Sequence, residues 1–349
     1  MKRGWAAVVM GILATVAPAA SAQPPPLVKV GTLVPEGSSL HVILKEMGEK
    51  WKQAPGGGAQ LRFYAGGVLG DEPAMVQKMR VGAIQGGVFT VVGLAQIDPS
   101  VYCLTVPMMY RSYEELDYVW EKMKPALEKR FRQKGFEILN WADAGWVTFF
   151  SKEPVLLPDD LKRRKFFVWA GDNKAADLWK SAGYSPVPLA STDILPGLQT
   201  GLINTFSVTP LTALSFQWFA LAPHMADLKW QPLPGATIVA AKVWGEIPAE
   251  LRPLLEQAAA AAGGKLQARI DALNDQAVDA MRQRGLSITH VTPEMEERWQ
   301  AIVRDKGLPV FVGTHFSRET LDAVQETLRV YRRSRDEGKK LESPASARP

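Results

Sequence analysis

Apolar and polar residues alternate through Val28-Lys29-Val30-Gly31-Thr32, the period-two pattern of a strand with one buried face. Residues 35 to 39 read as a turn, and Ser38 or Ser39 offers a hydroxyl to cap a helix that runs to about Gln53. Residues 60 to 64 repeat the strand pattern, residues 72 to 80 the helical one, and residues 86 to 92 read as a third strand. This βαβαβ rhythm predicts a parallel sheet with helices on its faces.

Ser112 and Glu115 have the spacing of a capping box that opens a helix to about Lys134. Two strands are expected at 137–141 and 147–151. A second alternating block then begins, with strands at 166–169, 185–189 and 203–208 and helices at 174–182 and 194–200. The reading is therefore α/β, with two lobes around a cleft. From Pro248 the chain reads as helix for about 35 residues, with Leu251, Leu255, Ala258, Ala262, Leu266 and Ile270 at three-to-four spacing. A helix of that length, about 50 Å, can brace both lobes. Gly263-Gly264 marks an expected bend. Thr292-Pro293-Glu294 opens another helix with proline at its first position. The expected division is lobe I over 23–148 with a return segment about 230–265, lobe II over 149–229 with about 266–330, and a charged, disordered tail over 331–349.

The N-terminus changes the picture of where the chain works. Met1-Lys2-Arg3, an apolar run from Trp5 to Val16 and Ala20-Ser21-Ala22 make a secretory signal peptide over 1–22, cut before Gln23. The apolar run is too short to span a bilayer, which takes about 20 residues. Nothing later reaches that length, so the mature chain is expected to be exported, with no membrane insertion. Cys103 is the only cysteine, which rules out an internal disulfide and zinc sites built on cysteine pairs. The net charge of +5 is spread along the chain, and Lys162–Lys165 is its one dense basic block. That block reads as surface charge. Without a stripe of bases interleaved with aromatics, nucleic acid is not an expected partner.

Candidate catalytic chemistry is thin. The four histidines, His41, His224, His290 and His315, share no i, i+4 spacing, and neither H-E-x-x-H nor G-x-S-x-G occurs. Gly66-Gly67-Val68-Leu69-Gly70 lacks the order of a phosphate loop and reads as a strand-to-helix turn beside the cleft. No enzyme activity, cofactor or metal is predicted.

Six stretches, among them "VKVGTLVPEGSSLH", "GVLGDEPAMVQKMRVGAIQGGV", "LLPDDLKRRKFFVWAGD" and "VPLASTDILPGLQTGLINTFSVTP", resemble TRAP-transporter substrate-binding proteins of the DctP type in order and spacing. The resemblance runs from about Val28 to Val330. It implies a periplasmic binding protein-like fold, two α/β lobes that close on a ligand, and delivery of that ligand to TRAP permease subunits in the inner membrane. In this family the strand occupied by "KFFVWAG" carries an arginine that grips a carboxylate. Here Phe167 takes its place, Val208 replaces a family asparagine, and Trp146 falls near a third basic position. An arginine fork suits a carboxylate, and a phenyl ring supplies no donor.

The pocket expected from this resemblance is lined by Phe167, Trp169, Trp146, Phe89 and Val208, with Ser191, Thr90 and Glu72 as polar contacts. Its ligand would be uncharged or apolar and aromatic, of lipid-fragment, sterol-like or terpenoid-like character. By strand alternation Phe167 and Trp169 share a face, either under a helix or toward the cleft, opposite Phe166 and Val168. Some relatives bridge ligand and protein with a cation; with the carboxylate gone, no metal is assigned. The alternative function is a periplasmic carrier of hydrophobic molecules working with another envelope partner.

Overall fold

The computed structural model describes residues 26–338; the segment expected to be a signal peptide and the end of the expected tail lie outside them. Ten strands form one mixed sheet. In chain order they are β1 (Leu27–Thr32), β2 (Gln60–Tyr64), β3 (Gly86–Thr90), β4 (Phe136–Ser151), β5 (Lys165–Trp169), β6 (Ser185–Leu189), β7 (Thr205–Val208), β8 (His224–Ala226), β9 (Gln231–Ala240) and β10 (Ser287–Thr289). The spatial order is β2-β1-β3-β9-β4-β7-β5-β6, with β8 beside β4 and β10 beside β8. Parallel pairs flank β1 and β5, as the βαβ rhythm requires, while β9 runs antiparallel to both β3 and β4.

The two lobes share β4. Its first part, to Val147, pairs with β9, and Thr148–Ser151 pairs with β7. The two strands expected at 137–141 and 147–151 are thus one, irregular between Asp143 and Trp146. Gly145 sits in that irregularity at φ +102, and a Cβ there would lie 2.4 Å from Asn274 Nδ2. Only glycine allows that backbone and that approach. Asn274 donates to Ala144 O (3.1 Å) and accepts from the Leu211 N–H (3.0 Å), fixing the crossing point.

Asn274 belongs to the long helix Arg252–Arg282, which does brace both lobes. Leu255, Ala258, Ala262 and Leu266 pack with Val28, Val30 and Trp51 in the first lobe, and Met281 with Phe150, Phe206 and Trp218 in the second. The helix is continuous through Gly263-Gly264, so the expected bend is absent. A Cβ on Gly263 would lie 2.8 Å from the Trp141 carbonyl oxygen. The glycine lets the helix lie close on β4.

Other boundaries differ for local reasons. β3 stops at Thr90 because the Thr90 hydroxyl caps a short helix, Val91–Ala95, by accepting from the Val92 N–H. The Ser112 hydroxyl caps its helix by accepting from the Glu115 N–H, but the Glu115 carboxylate turns to the Arg111 N–H and to Arg332, so the box is half made. Arg332 stands on a helix, Arg318–Asp336, that occupies the start of the expected tail.

Candidate functional site

A cavity of about 160 Å³ opens where the two lobes meet. The first lobe contributes Val91, Val92, Tyr102, Thr105, Val106 and Pro107. From the second come all four residues Phe166 to Trp169 of β5, Ser207 and Val208 of β7, and one face of the helix Asn173–Ser181. Val147, Phe149, Trp230 and Leu233 add to the wall, as do a π turn, Val303–Gly307, and the segment after it, with Phe311 and His315. π turns within helices recur at functional sites.

Strand β5 is central to this wall. It is held between β6 and β7, so its side chains point alternately to the two faces of the sheet. Phe166 and Val168 join the core that holds Phe149, Tyr184, Trp230 and Trp299. Phe167 joins the opposite core, with Phe150, Phe206 and Trp218, and stands edge-on to Trp169 at 4.8 Å. The expectation that only the Phe167 face meets the ligand space is therefore too narrow, since Phe166 and Val168 line it as well.

The polar groups of the wall gather across the lobes. Asp172 caps the helix Asn173–Ser181, its carboxylate accepting the Ala175 N–H at 3.0 Å. The same carboxylate accepts the Tyr102 hydroxyl of the first lobe at 2.7 Å, and His315 Nε2 lies 4.0 Å away. The Tyr102 ring meets the His315 ring edge-on at 4.8 Å. Burial pushes the Asp172 pKa upward, but the His315 imidazole, the Tyr102 hydroxyl and the Ala175 N–H outweigh it and hold the group below its ordinary range. Burial and the facing carboxylate raise Tyr102 well above the usual phenol value, so it remains a donor. A second contact between lobes is the Ser191 N–H to Asp71, at 3.2 Å.

Phe167, Trp169 and Val208 thus line the cavity, and Trp146, Phe89, Thr90, Glu72 and Ser191 do not. Glu72 is 2 % exposed and accepts from the Thr90 N–H, the Thr90 hydroxyl and the Gly93 N–H, so these two polar candidates are occupied with each other. Burial pushes the Glu72 carboxyl up to about 7, against those three donors. Phe89 lies in the core with its ring over Gly87, where a Cβ would clash. Trp146 packs on Tyr113, with the Lys229 ammonium over its ring; its neighbour Val147 reaches the cavity instead. Ser191 sits at the lobe contact. Of the basic block, Lys162, Arg163 and Arg164 pair with Asp159, Asp160 and Glu153. Among the described residues no group of three or more His, Cys, Asp or Glu side chains is placed to hold a metal ion.

The residues missed by sequence reasoning are Tyr102, Asp172, His315, Trp179, Tyr184 and Trp230. Asp172 had a local signal, an Asp at a helix start. Its hydrogen-bond partner Tyr102 is 70 residues away, and nothing local joins them.

Residues 30–306 match the bacterial extracellular solute-binding proteins, family 7, of DctP type. The chain belongs to this family. It is 24% identical over 269 residues to a solute-binding protein of Chromohalobacter salexigens, covering 76% of each chain. It is 22% identical over 265 residues to the C4-dicarboxylate-binding periplasmic protein DctP of Rhodobacter capsulatus, covering 74% of this chain and 78% of that one. Among solved structures, a TRAP periplasmic solute-binding protein of Haemophilus influenzae with bound L-gulonate superposes with a TM-score of 0.80 at 16% identity, over 86% of this chain and 99% of that one. One from Chromohalobacter salexigens with bound D-glucuronate gives 0.79 at 18%, over the same shares. The Bordetella pertussis receptor DctP7, which binds pyroglutamic acid, gives 0.78 at 18%, over 87% and 99%. The DctP fold of two α/β lobes and a bracing helix is thereby shared. No described helix is long and apolar enough to cross a membrane.

Proposed function

We propose that this DctP-family protein is a periplasmic receptor that takes up a solute between its lobes and delivers it to a TRAP-type permease, and that the solute is uncharged or largely apolar. The observation that carries the ligand class is the cavity wall. Among its residues are Phe166, Phe167, Val168 and Trp169 in sequence, one lysine, Lys306, and no arginine. Its carboxylate, the half-buried Asp172, is already engaged. A ligand carboxylate placed there would lose water without gaining a fork of donors, at a cost of several kcal/mol.

The relatives of known structure bind sugar acids and pyroglutamate, so the proposed chemistry departs from theirs. Phe167, at the position where the family resemblance implies an arginine, supports that departure. Size narrows the class. An engineered apolar cavity of about 150 Å³ holds one benzene ring, so about 160 Å³ suits a molecule of that order and not a sterol skeleton. The family match over residues 30–306 favours a TRAP permease as recipient over a carrier for another envelope partner.

Native mass spectrometry of protein recovered from the periplasm, followed by organic extraction, tests the reading. An apolar or weakly polar molecule in the extract is the expected result. A hexuronate or another small organic acid bound in stoichiometric amount overturns it.

A further inference from the structure

Strand β4 runs through the cavity wall, and its two flanks there are polar. Val147 and Phe149, on one face of β4, both line the cavity. In the sheet Phe149 stands opposite Ser207 of β7, and Val147 stands opposite Gln231 of β9. Directly opposed residues share a face, so Ser207 and Gln231 border the same apolar strip, one on each side. Both line the cavity as well. Two strands across and two residues along, their Cα atoms are about 12 Å apart.

These two side chains differ from their polar neighbours in the wall. The Tyr102 hydroxyl and the Asp172 carboxylate are joined to each other, and the Thr105 hydroxyl donates to the Tyr102 carbonyl oxygen at 3.2 Å. Ser207 and Gln231 make no side-chain hydrogen bond to any described residue, and both are half-buried. Ser207 lies inside the sheet, because β7 is held between β4 and β5, so its open surface faces the cavity and not a sheet edge. A ligand that covers such groups has to replace the water they bind. Plain hydrocarbon cannot do so, and each bond left unmade counts against it. The glutamine amide presents an acceptor and two donors. Its complement is a second edge of the same kind, a carboxamide or lactam, which pairs through two bonds and carries no charge.

We infer that the ligand is a neutral, ring-sized carboxamide or lactam: its amide edge pairs with Gln231, its apolar body lies on Val147 and Phe149, and its far end reaches the Ser207 hydroxyl. This rests on the uncharged-ligand reading above and adds the polar groups that reading leaves open. Gln231 and Ser207 are thus specificity-determining residues.

The test uses full-length mature protein and four one-ring probes: benzamide, 4-hydroxybenzamide, toluene and benzoate. Binding is read by calorimetry. Gln231→Leu should lower the affinity for benzamide about tenfold, two hydrogen bonds being lost, and leave toluene bound as before or more tightly. Ser207→Ala should lower the affinity for 4-hydroxybenzamide about two- to tenfold and leave benzamide unchanged. Since neither side chain holds another described residue, both variants should unfold at the temperature of the parent. Equal changes for benzamide and toluene in Gln231→Leu, or no change, would remove the amide edge from Gln231. Equal changes for the two amides in Ser207→Ala, or no change, would overturn the two-sided placement. If neither amide binds the parent protein, the inference falls, and toluene binding in that case would leave the apolar receptor standing. If benzoate or D-glucuronate binds and no neutral probe does, the proposed function itself falls.

Discussion

Two carboxylates, the buried Glu72 and the half-buried Asp172, one in each lobe, show how the same chemical group serves opposite ends. Glu72 is tied within its own lobe: two backbone N–H groups and one hydroxyl, all neutral, close the turn that ends β3. Its pKa rises to about 7 because burial outweighs those donors. Asp172 takes one donor from its own helix and another from the opposite lobe, and it faces an imidazole. Its pKa falls. Glu72 stabilises a turn, and Asp172 joins two bodies at the edge of the ligand space. A buried carboxylate read from sequence as a ligand contact can be either; what decides is who donates to it.

The comparison can be broken most forcefully at Glu72. Glu72→Ala leaves the Thr90 and Gly93 N–H groups buried without acceptors, and should cost ~4 kcal/mol of unfolding free energy. Ligand affinity of the folded fraction should not change; a binding defect without loss of stability in urea would move Glu72 into the site. The pH dependence of stability separates the two acids next. Glu72, raised, contributes fully below its unfolded value of 4.5 and loses that contribution as pH climbs through about 7, roughly 3 kcal/mol in all. In Glu72→Gln that falling slope should be absent from thermal midpoints taken between pH 5 and 8.

Asp172, lowered, behaves oppositely: its contribution is present above the ordinary aspartate range and fades as acid protonates it. Asp172→Asn keeps a helix cap but weakens the tie to Tyr102 and His315. About 2 kcal/mol should be lost, seen as weaker ligand binding and as a wider particle in small-angle scattering. Scattering identical to that of the parent would argue that Asp172 does not hold the lobes. The smallest effect belongs to Tyr102→Phe, which removes one donor and keeps the ring against His315: about 1 kcal/mol, again in binding more than in unfolding.

Legibility followed the range of the forces. The helix Glu72–Arg80 and the strands Gln60–Tyr64 and Ser185–Leu189 stand where period and caps put them, because those signals act within a few residues. Strand β9 was invisible. Pro232 and Pro234 break its strand pattern, and they are tolerated because β3 pairs only with Gly235–Val239, leaving one side of the strand free at the prolines. At Gly263-Gly264 the sequence suggests a weak point, while packing on Trp141 makes the first glycine a close-contact residue. In the candidate site the aromatic strand was legible, since four residues from Phe166 to Trp169 do line the cavity. Tyr184 and His315 were not, because a lone tyrosine or histidine has no periodicity to report it.

By itself the sequence determined the α/β class, most element positions and the bracing helix, all of which rest on local periodicity. The tertiary structure alone decided which acid joins the lobes and that both faces of β5 meet the cavity. Those facts depend on contacts between residues many tens of positions apart, and no pattern along the chain records which distant groups folding will bring within hydrogen-bond reach.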